Sequence, residues 1–295
     1  MTDEIPTHAA DESKTGESAG TDGDDSVRTF ALFVAGTLAF SWGLWTLPLL
    51  GVLPPSSMDV LARLGGFGPL AGALVALKVA ERSVRTWLRS NLRVRIPPRW
   101  YAFALVLPPV LVGFAGVVHV VLFGTSLDLD AIDPLWVYPI AVVVFLVGGG
   151  QEELGWRAFA LPALQERYSA ATASLGVGVV RALWHLPLFP IPGSPQRDLP
   201  LAPYVVDVLA ASVVFAWLYN SGSAPVPMLF HGGINPIAAY FPTGGIDAAG
   251  TLSGYGSSAI VLVAVLLRVY GPRELADRSR ITLGDLFAAG TDTDR

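Results

Sequence analysis

The stretch GGGQEELGWRAFALPALQER, residues 148–167, places Glu152, Glu153 and Arg157 among apolar neighbours. An ionised side chain at the centre of a membrane helix costs about 2.5 to 3.5 kcal/mol on the most lenient scale, so these groups need compensating partners. Glu153 and Arg157 are four residues apart, which predicts an ion pair on one helix face. Glu152 points about 100° away around the same helix axis. Its carboxylate is therefore the better candidate for chemistry.

Two later segments also carry polar side chains at helical spacing. Arg181 and His185 are four residues apart, as are His231 and Asn235, so each pair shares one face of a helix. The two glycines after His231 predict close approach of another helix backbone. We expect Glu152, His185, His231 and Asn235 to form one joint site.

The remaining ionisable groups in apolar segments are open to more than one interpretation. Asp207 and Arg181 are expected to pair either with each other or with the site, and the sequence favours neither arrangement. His119 has no polar neighbour at helical spacing, which predicts a place in the core or against lipid headgroups. A purely structural alternative remains for the charged cluster, in which Glu153 and Arg157 form a buried ion pair that fixes helix packing.

Several familiar chemistries are excluded by the residue types. The chain has no cysteine, so disulfides, thiolate metal sites and a cysteine nucleophile are absent. It contains no HExxH zincin motif, no GxSxG elbow, no phosphate-binding GxxxxGK[ST] loop and no basic face for nucleic acid. The glycines at 148–150 precede the glutamates, which favours close helix approach or a hinge over a nucleotide loop.

Membrane helices must position these residues. Of the 295 residues, 52% are hydrophobic and 15% are charged, and the mean hydropathy is +0.53, far above that of a soluble domain. We predict an all-α, polytopic transmembrane helix bundle of about eight spans, because each span needs about 20 apolar residues. The predicted spans lie near 29–52, 59–81, 101–123, 136–164, 171–190, 203–220, 224–241 and 256–270. Extending the fourth span to residue 164 places Glu152 toward the middle of the membrane.

Polar tails and a basic connector predict the orientation. Residues 1–27 read as a disordered acidic tail and residues 272–295 as a charged C-terminal tail. The connector ERSVRTWLRSNLRVRIPPRW, residues 81–100, is densely basic, which predicts a cytoplasmic location. Both termini then face the cytoplasm of a multi-pass cell-membrane protein. Tryptophans among the basic residues also favour contact between the connector and anionic membrane lipids.

Three motifs, in this order, resemble those of the CPBP intramembrane proteases, the CAAX protease and bacteriocin-processing (Abi) group. They are EELGWR (EExxxR), RALWHLP with His185, and HGGIN (HxxxN), and they lie in a motif core of 148–240 within a domain of 28–271. The resemblance implies an intramembrane endopeptidase with a conical active-site cavity near the cytoplasmic face. One residue departs from the pattern: Arg181 stands where the family usually has an aromatic residue, which puts the shape and charge of the pocket in question.

The resemblance implies two possible mechanisms. In a metalloprotease mechanism, Glu152, His185 and His231 bind a divalent metal such as Zn²⁺. In a glutamate mechanism, Glu152 and His185 activate water while His231 and Asn235 stabilise the oxyanion. Asn235 slightly favours the second mechanism, because an amide is a poor zinc ligand and a good oxyanion donor.

Glu153 and Arg157 belong to the same predicted machinery, where they hold the fourth helix in register. The implied substrate is a membrane-embedded peptide or a lipidated protein, and the motifs do not choose between a prenylated CaaX-like C terminus and a bacteriocin precursor. The alternative from another class is a non-enzymatic membrane scaffold, or a transporter that uses the same buried cluster. The chain shows no obvious two-half repeat that would favour a transporter.

Overall fold

The computed structural model describes residues 15–124, 126, 130, 134–194, 196–236 and 248–288. All regular secondary structure in these ranges is helical, which confirms the predicted all-α fold. The helices are α1 (Thr15–Trp45), α2 (Met58–Gly65), α3 (Gly68–Val79), α4 (Val84–Asn91), α5 (Pro98–Phe123), α6 (Val137–Phe145), α7 (Glu153–Gly155), α8 (Leu161–Gln165), α9 (Ala170–Trp184), α10 (Leu201–Ser221), α11 (Pro225–Ile234), α12 (Ala248–Glu274) and α13 (Leu283–Ala288). Short 3₁₀ turns cover Pro55–Ser57, Gly150–Glu152 and Leu186–Leu188, and a π-turn covers Trp156–Ala160.

Five segments in the described part of the chain are long and apolar enough to cross a membrane, or six if the bent pair Pro55–Gly65 and Gly68–Val79 forms one span. The predicted fifth and seventh spans are represented by α9, with 15 residues, and α11, with 10. Both are shorter than the roughly 20 residues that a full span needs. The predicted seventh span, 224–241, also runs into residues outside the described ranges. The count of eight therefore stays a prediction.

Apolar side chains cover the outer face of the long helices. On α5, Val106, Val110, Val117 and Val121 are each more than half exposed. A continuous apolar surface of this kind is unusual for a soluble monomer and is typical of a lipid-facing helix. The bundle is thus that of a multi-pass membrane protein.

The segment predicted as one helix over 136–164 is interrupted. α6 ends at Phe145, and the chain then passes through the turns and short helices of 150–165. The break falls at the glycines for which the sequence predicts close helix approach or a hinge. The triple glycine has low helix propensity, and the Gln151 side chain accepts a hydrogen bond from the Gly149 N–H at 2.7 Å. Val137–Gln165 still qualifies as one membrane-crossing segment. Glu152 lies close to the midpoint of this segment in sequence, and its depth in the membrane stays a prediction.

Close packing joins the N-terminal helices to the site helices. α1 lies along α3, and a Cβ added to Gly72 would come within 2.4 Å of the Phe33 carbonyl oxygen. The Trp42 indole Nε1 donates to the Trp184 carbonyl oxygen at 2.9 Å, which ties α1 to the end of α9. α10 packs against both α9 and α12 behind the site. The end of α9, where His185 lies, is therefore held from two sides.

The two tails differ in how much of them is described. α1 begins at Thr15, inside the acidic segment 1–27, and residues 1–14 lie outside the described ranges, so the disordered tail stays a prediction. At the other end, α13 packs against α4 and buries Leu283 and Leu286. Ser90 Oγ on α4 donates to the Leu286 carbonyl oxygen at 2.6 Å. The described part of the 272–295 tail is thus bound to the bundle.

Candidate active site

Side chains from three separate segments line one cavity of about 670 Å³. Glu152 comes from the end of the 3₁₀ turn, His185 from the residue after α9, and His231 and Asn235 from α11 and its C-terminal end. Glu152, His185 and His231 are at most 9% exposed. The structure therefore brings together the four residues for which the sequence predicts a joint site.

Glu153 is fully buried and contacts two partners. Its Oε2 lies 3.1 Å from Arg157 Nη1, which confirms the ion pair predicted from the four-residue spacing. Its Oε1 lies 2.7 Å from His231 Nδ1, a contact that the spacing does not predict. Arg157 Nη2 in turn donates to Ser212 Oγ at 3.1 Å, and its guanidinium lies 4.5 Å from the centre of the Phe215 ring. Glu153 thus connects the segment 137–165 to α11, and Arg157 connects it to α10.

The hydrogen-bond partners define the tautomers of both histidines. A carbonyl oxygen only accepts, so the contact of 2.8 Å between His185 Nδ1 and the Arg181 carbonyl oxygen places a hydrogen on Nδ1. An arginine only donates, so His231 Nε2 accepts from Arg181 Nη2 at 3.2 Å. His231 Nδ1–H then donates to Glu153 Oε1. Both rings present Nε2 as an acceptor in their neutral form.

Arg181 is the residue that sequence reasoning left without a role. Its Nη2 lies 3.3 Å from Glu152 Oε2 and 3.2 Å from His231 Nε2, so the guanidinium stands between them. Neither the motif nor the spacing within α9 identifies Glu152 or His231 as its partner. Arg181 therefore pairs with the site residues and not with Asp207. Asp207 lines the same cavity, and no direct bond joins it to Arg181 in the described residues.

Gly149 keeps the glutamate segment in contact with α11. A Cβ at this position would lie 2.2 Å from Asn235 Nδ2 and 3.2 Å from His231 Nε2. Asn235 Nδ2 also donates to the Gly148 carbonyl oxygen at 3.4 Å. On the opposite side, a Cβ on Gly232 would lie 2.9 Å from the Val142 carbonyl oxygen. The close approach predicted for both glycine groups is confirmed.

The donor set does not fit the predicted metal. Glu152 and His231 are two of the three ligands that the metalloprotease mechanism requires, and both direct their lone pairs at the Arg181 guanidinium. A fixed cation in that position uses the same lone pairs and repels a divalent ion. Within the described ranges, no three His, Cys, Asp or Glu side chains are grouped so that they could hold a metal ion. We therefore derive no step through Zn²⁺.

His119 lies apart from the site. Its ring is buried on α5 and packs 4.6 Å, centre to centre, from the Phe123 ring. This agrees with the predicted place in the core.

The fold and the cavity define a helical membrane protein with a buried site built from glutamate, histidine and arginine. Residues 134–237 match the model of the family described as type II CAAX prenyl endopeptidase, Rce1-like. Over 100 residues the chain is 32% identical to CAAX prenyl protease 2 of Methanococcus maripaludis, a match that covers 31% of this chain and 37% of that relative. The part of the chain that carries the motifs is therefore similar to CAAX prenyl endopeptidases, in agreement with the resemblance that the motifs show.

Proposed function

We propose that this protein is an intramembrane endopeptidase that hydrolyses a peptide bond in a membrane-embedded or lipidated substrate. The observation that carries the proposal is the single cavity in which Glu152, His185, His231 and Asn235 meet. The match to a family of prenyl endopeptidases supports the same reaction class. The protein would act in the cell membrane with both termini in the cytoplasm.

Glu152 is the general base of the proposed reaction. The water oxygen bonds to the scissile carbonyl carbon while its proton passes to the Glu152 carboxylate, and the π electron pair moves to the carbonyl oxygen. His185 Nε2 accepts a hydrogen bond from the same water and orients it. The tetrahedral intermediate then breaks its C–N bond, and the proton on Glu152 passes to the leaving amine.

The walls of the cavity suit an amphipathic substrate. Apolar side chains dominate them, and Asp59, Arg63 and Asp207 add further charged groups to the lining. The apolar lining residues include Leu111, Phe145, Leu188, Leu199, Val208 and Val214. A prenylated C-terminal peptide is the first substrate to test, because the M. maripaludis relative is named a CAAX prenyl protease.

The test is cleavage of a quenched fluorescent farnesyl peptide by detergent-purified protein. Glu152→Gln is expected to lower the rate by at least about 10²-fold, since a positioned general base contributes roughly 10² to 10⁴. The matched control is Glu81→Gln, which changes an exposed glutamate outside the cavity. A Glu152→Gln variant with wild-type activity would remove Glu152 from the mechanism. A variant that loses expression and thermal stability together with activity would favour the scaffold alternative.

A further inference from the structure

The proposed hydrolysis needs a hydrogen-bond donor for the developing oxyanion, and His231 is not arranged to supply it. Its Nδ1–H is used by Glu153 Oε1 at 2.7 Å, and its Nε2 accepts from Arg181 Nη2 at 3.2 Å. An imidazole in this tautomer has no hydrogen directed into the cavity. The sequence-based role of His231 as oxyanion donor therefore conflicts with its hydrogen bonds.

We propose that Arg181 is the oxyanion donor and the resident cation of this active site, an inference that rests on the proposed function. Its guanidinium lines the cavity and lies between the Glu152 carboxylate and the His231 ring. Glu152 and His231 use both hydrogens of Nη2, and Nε is buried. Nη1 has no hydrogen-bond partner in the part of the chain that the structure describes, so it is the group that remains to donate to the oxyanion. A carbonyl oxygen that enters beside Glu152 meets this cation.

Three contacts hold the guanidinium in place before substrate binds. Glu152 and His231 each accept from Nη2, and the Phe215 ring lies 5.5 Å from the guanidinium carbon. The Arg181 carbonyl oxygen also accepts from His185 Nδ1, so the same residue sets the tautomer of the water-orienting histidine. A donor that is fixed in advance stabilises transition-state charge without reorganisation.

The chemical step remains balanced with Arg181 in this role. As the water oxygen bonds to the carbonyl carbon, the carbonyl π pair moves to oxygen and the guanidinium N–H groups donate to it without losing a proton. The proton from water resides on Glu152 until the C–N bond breaks. The cation thus supplies the charge stabilisation that a metal ion would supply in the alternative mechanism.

Chemical rescue separates this role from a structural one. Arg181→Ala is expected to lower kcat by about 10² to 10³-fold, the usual effect of removing one oxyanion donor. Guanidinium added at a non-denaturing concentration should raise the kcat of Arg181→Ala at least tenfold, because it can enter the space that the arginine side chain leaves. Urea, a neutral molecule of the same shape, should not raise it. Glu152→Gln should not respond to guanidinium. Arg197→Ala, which removes an exposed arginine outside the cavity, is the matched control.

The tautomer of His231 provides a second test that needs no substrate. In ¹⁵N-histidine NMR of the purified protein, with the signal assigned by loss in His231→Gln, we expect a neutral ring with hydrogen on Nδ1. The Nε2 resonance should shift in Arg181→Ala. Hydrogen on Nε2, or an imidazolium at neutral pH, would overturn the inference, because His231 could then donate to the oxyanion itself.

The two proposals fail in different ways. Full activity of Arg181→Ala, or equal rescue by urea and guanidinium, together with an inactive Glu152→Gln, overturns the role of Arg181 and leaves the protease intact. Full activity of Glu152→Gln overturns the proposed mechanism instead. If the wild type cleaves no membrane peptide, the protease proposal fails and the role of Arg181 as oxyanion donor fails with it, whatever tautomer the NMR experiment finds for His231.

Discussion

Two adjacent glutamates in this protein have different surroundings. Glu153 is enclosed by Arg157 and His231, whereas Glu152 faces the cavity and Arg181. The sequence predicts the first ion pair because both partners lie on one helix turn. It does not predict the contacts to Arg181 and His231, because these come from helices far along the chain and depend on how the helices pack.

At the residue scale, we predict that Glu153→Gln destabilises the protein as well as inactivating it. Removing one partner of a buried ion pair leaves an uncompensated charge and costs about 3 to 5 kcal/mol. Here the remaining charge is Arg157, which is 1% exposed. The measurement is thermal unfolding in detergent beside Glu152→Gln.

The paired control is the double variant Glu153→Leu, Arg157→Leu. It removes both charges, so it should recover much of the lost stability. Activity should stay low, because His231 Nδ1 has then lost its acceptor. Wild-type stability of Glu153→Gln alone would contradict the account of Glu153 as a buried structural partner.

The decisive element is the broken segment between α6 and α8. Its apolar composition predicts a membrane helix, and Val137–Gln165 does qualify as one crossing. The sequence alone does not decide whether the helix is interrupted here, because the glycines at 148–150 permit either a helix or a turn. The choice depends on α11, whose Met228 carbonyl oxygen would lie 2.7 Å from a Cβ on Gly150.

At the element scale, we predict that Gly149→Ala abolishes activity while the helices remain folded. The added Cβ would lie 2.2 Å from Asn235 Nδ2 and 3.2 Å from His231 Nε2, so both side chains must shift. Positional errors of about 1 Å in a site cost roughly 10²-fold in rate. The experiment compares initial rates and melting temperatures with those of Gly148→Ala, whose nearest contact is an ordinary 3.4 Å.

Equal activity of the two alanine variants would mean that the segment and α11 do not need this close approach. Inactivity of both would place the effect in the backbone of the glycine run instead of the site.

At the scale of the whole molecule, the sequence predicts the bounds of the long apolar helices better than those of the short helices. α5, α10 and the segment 137–165 match predicted spans closely, whereas α1 ends at Trp45, before the predicted end of the first span at residue 52. α9 and α11 are shorter than the spans predicted for them, because proline and the polar site residues end these helices early. α9 ends at Trp184, next to His185 and Pro187.

Single cysteines can decide the membrane topology, since the natural sequence contains none. We predict that Arg95→Cys in the basic connector is labelled by a membrane-impermeant maleimide only from the cytoplasmic side. Asp198→Cys, after α9, should be labelled only from the outside. Both side chains are exposed, so neither label requires unfolding. Labelling of the two positions from the same side would contradict the predicted crossing by α9.

The most direct test is mass spectrometry of the products that purified protein releases from the farnesyl peptide, in parallel samples with and without a chelator. The account predicts one hydrolysed peptide bond in the wild-type sample, little or no product from Glu152→Gln, and product from Arg181→Ala only when guanidinium is added. Equal product from the wild type and Glu152→Gln would contradict it. Product that disappears when the chelator is added would contradict the role of Arg181 as the resident cation.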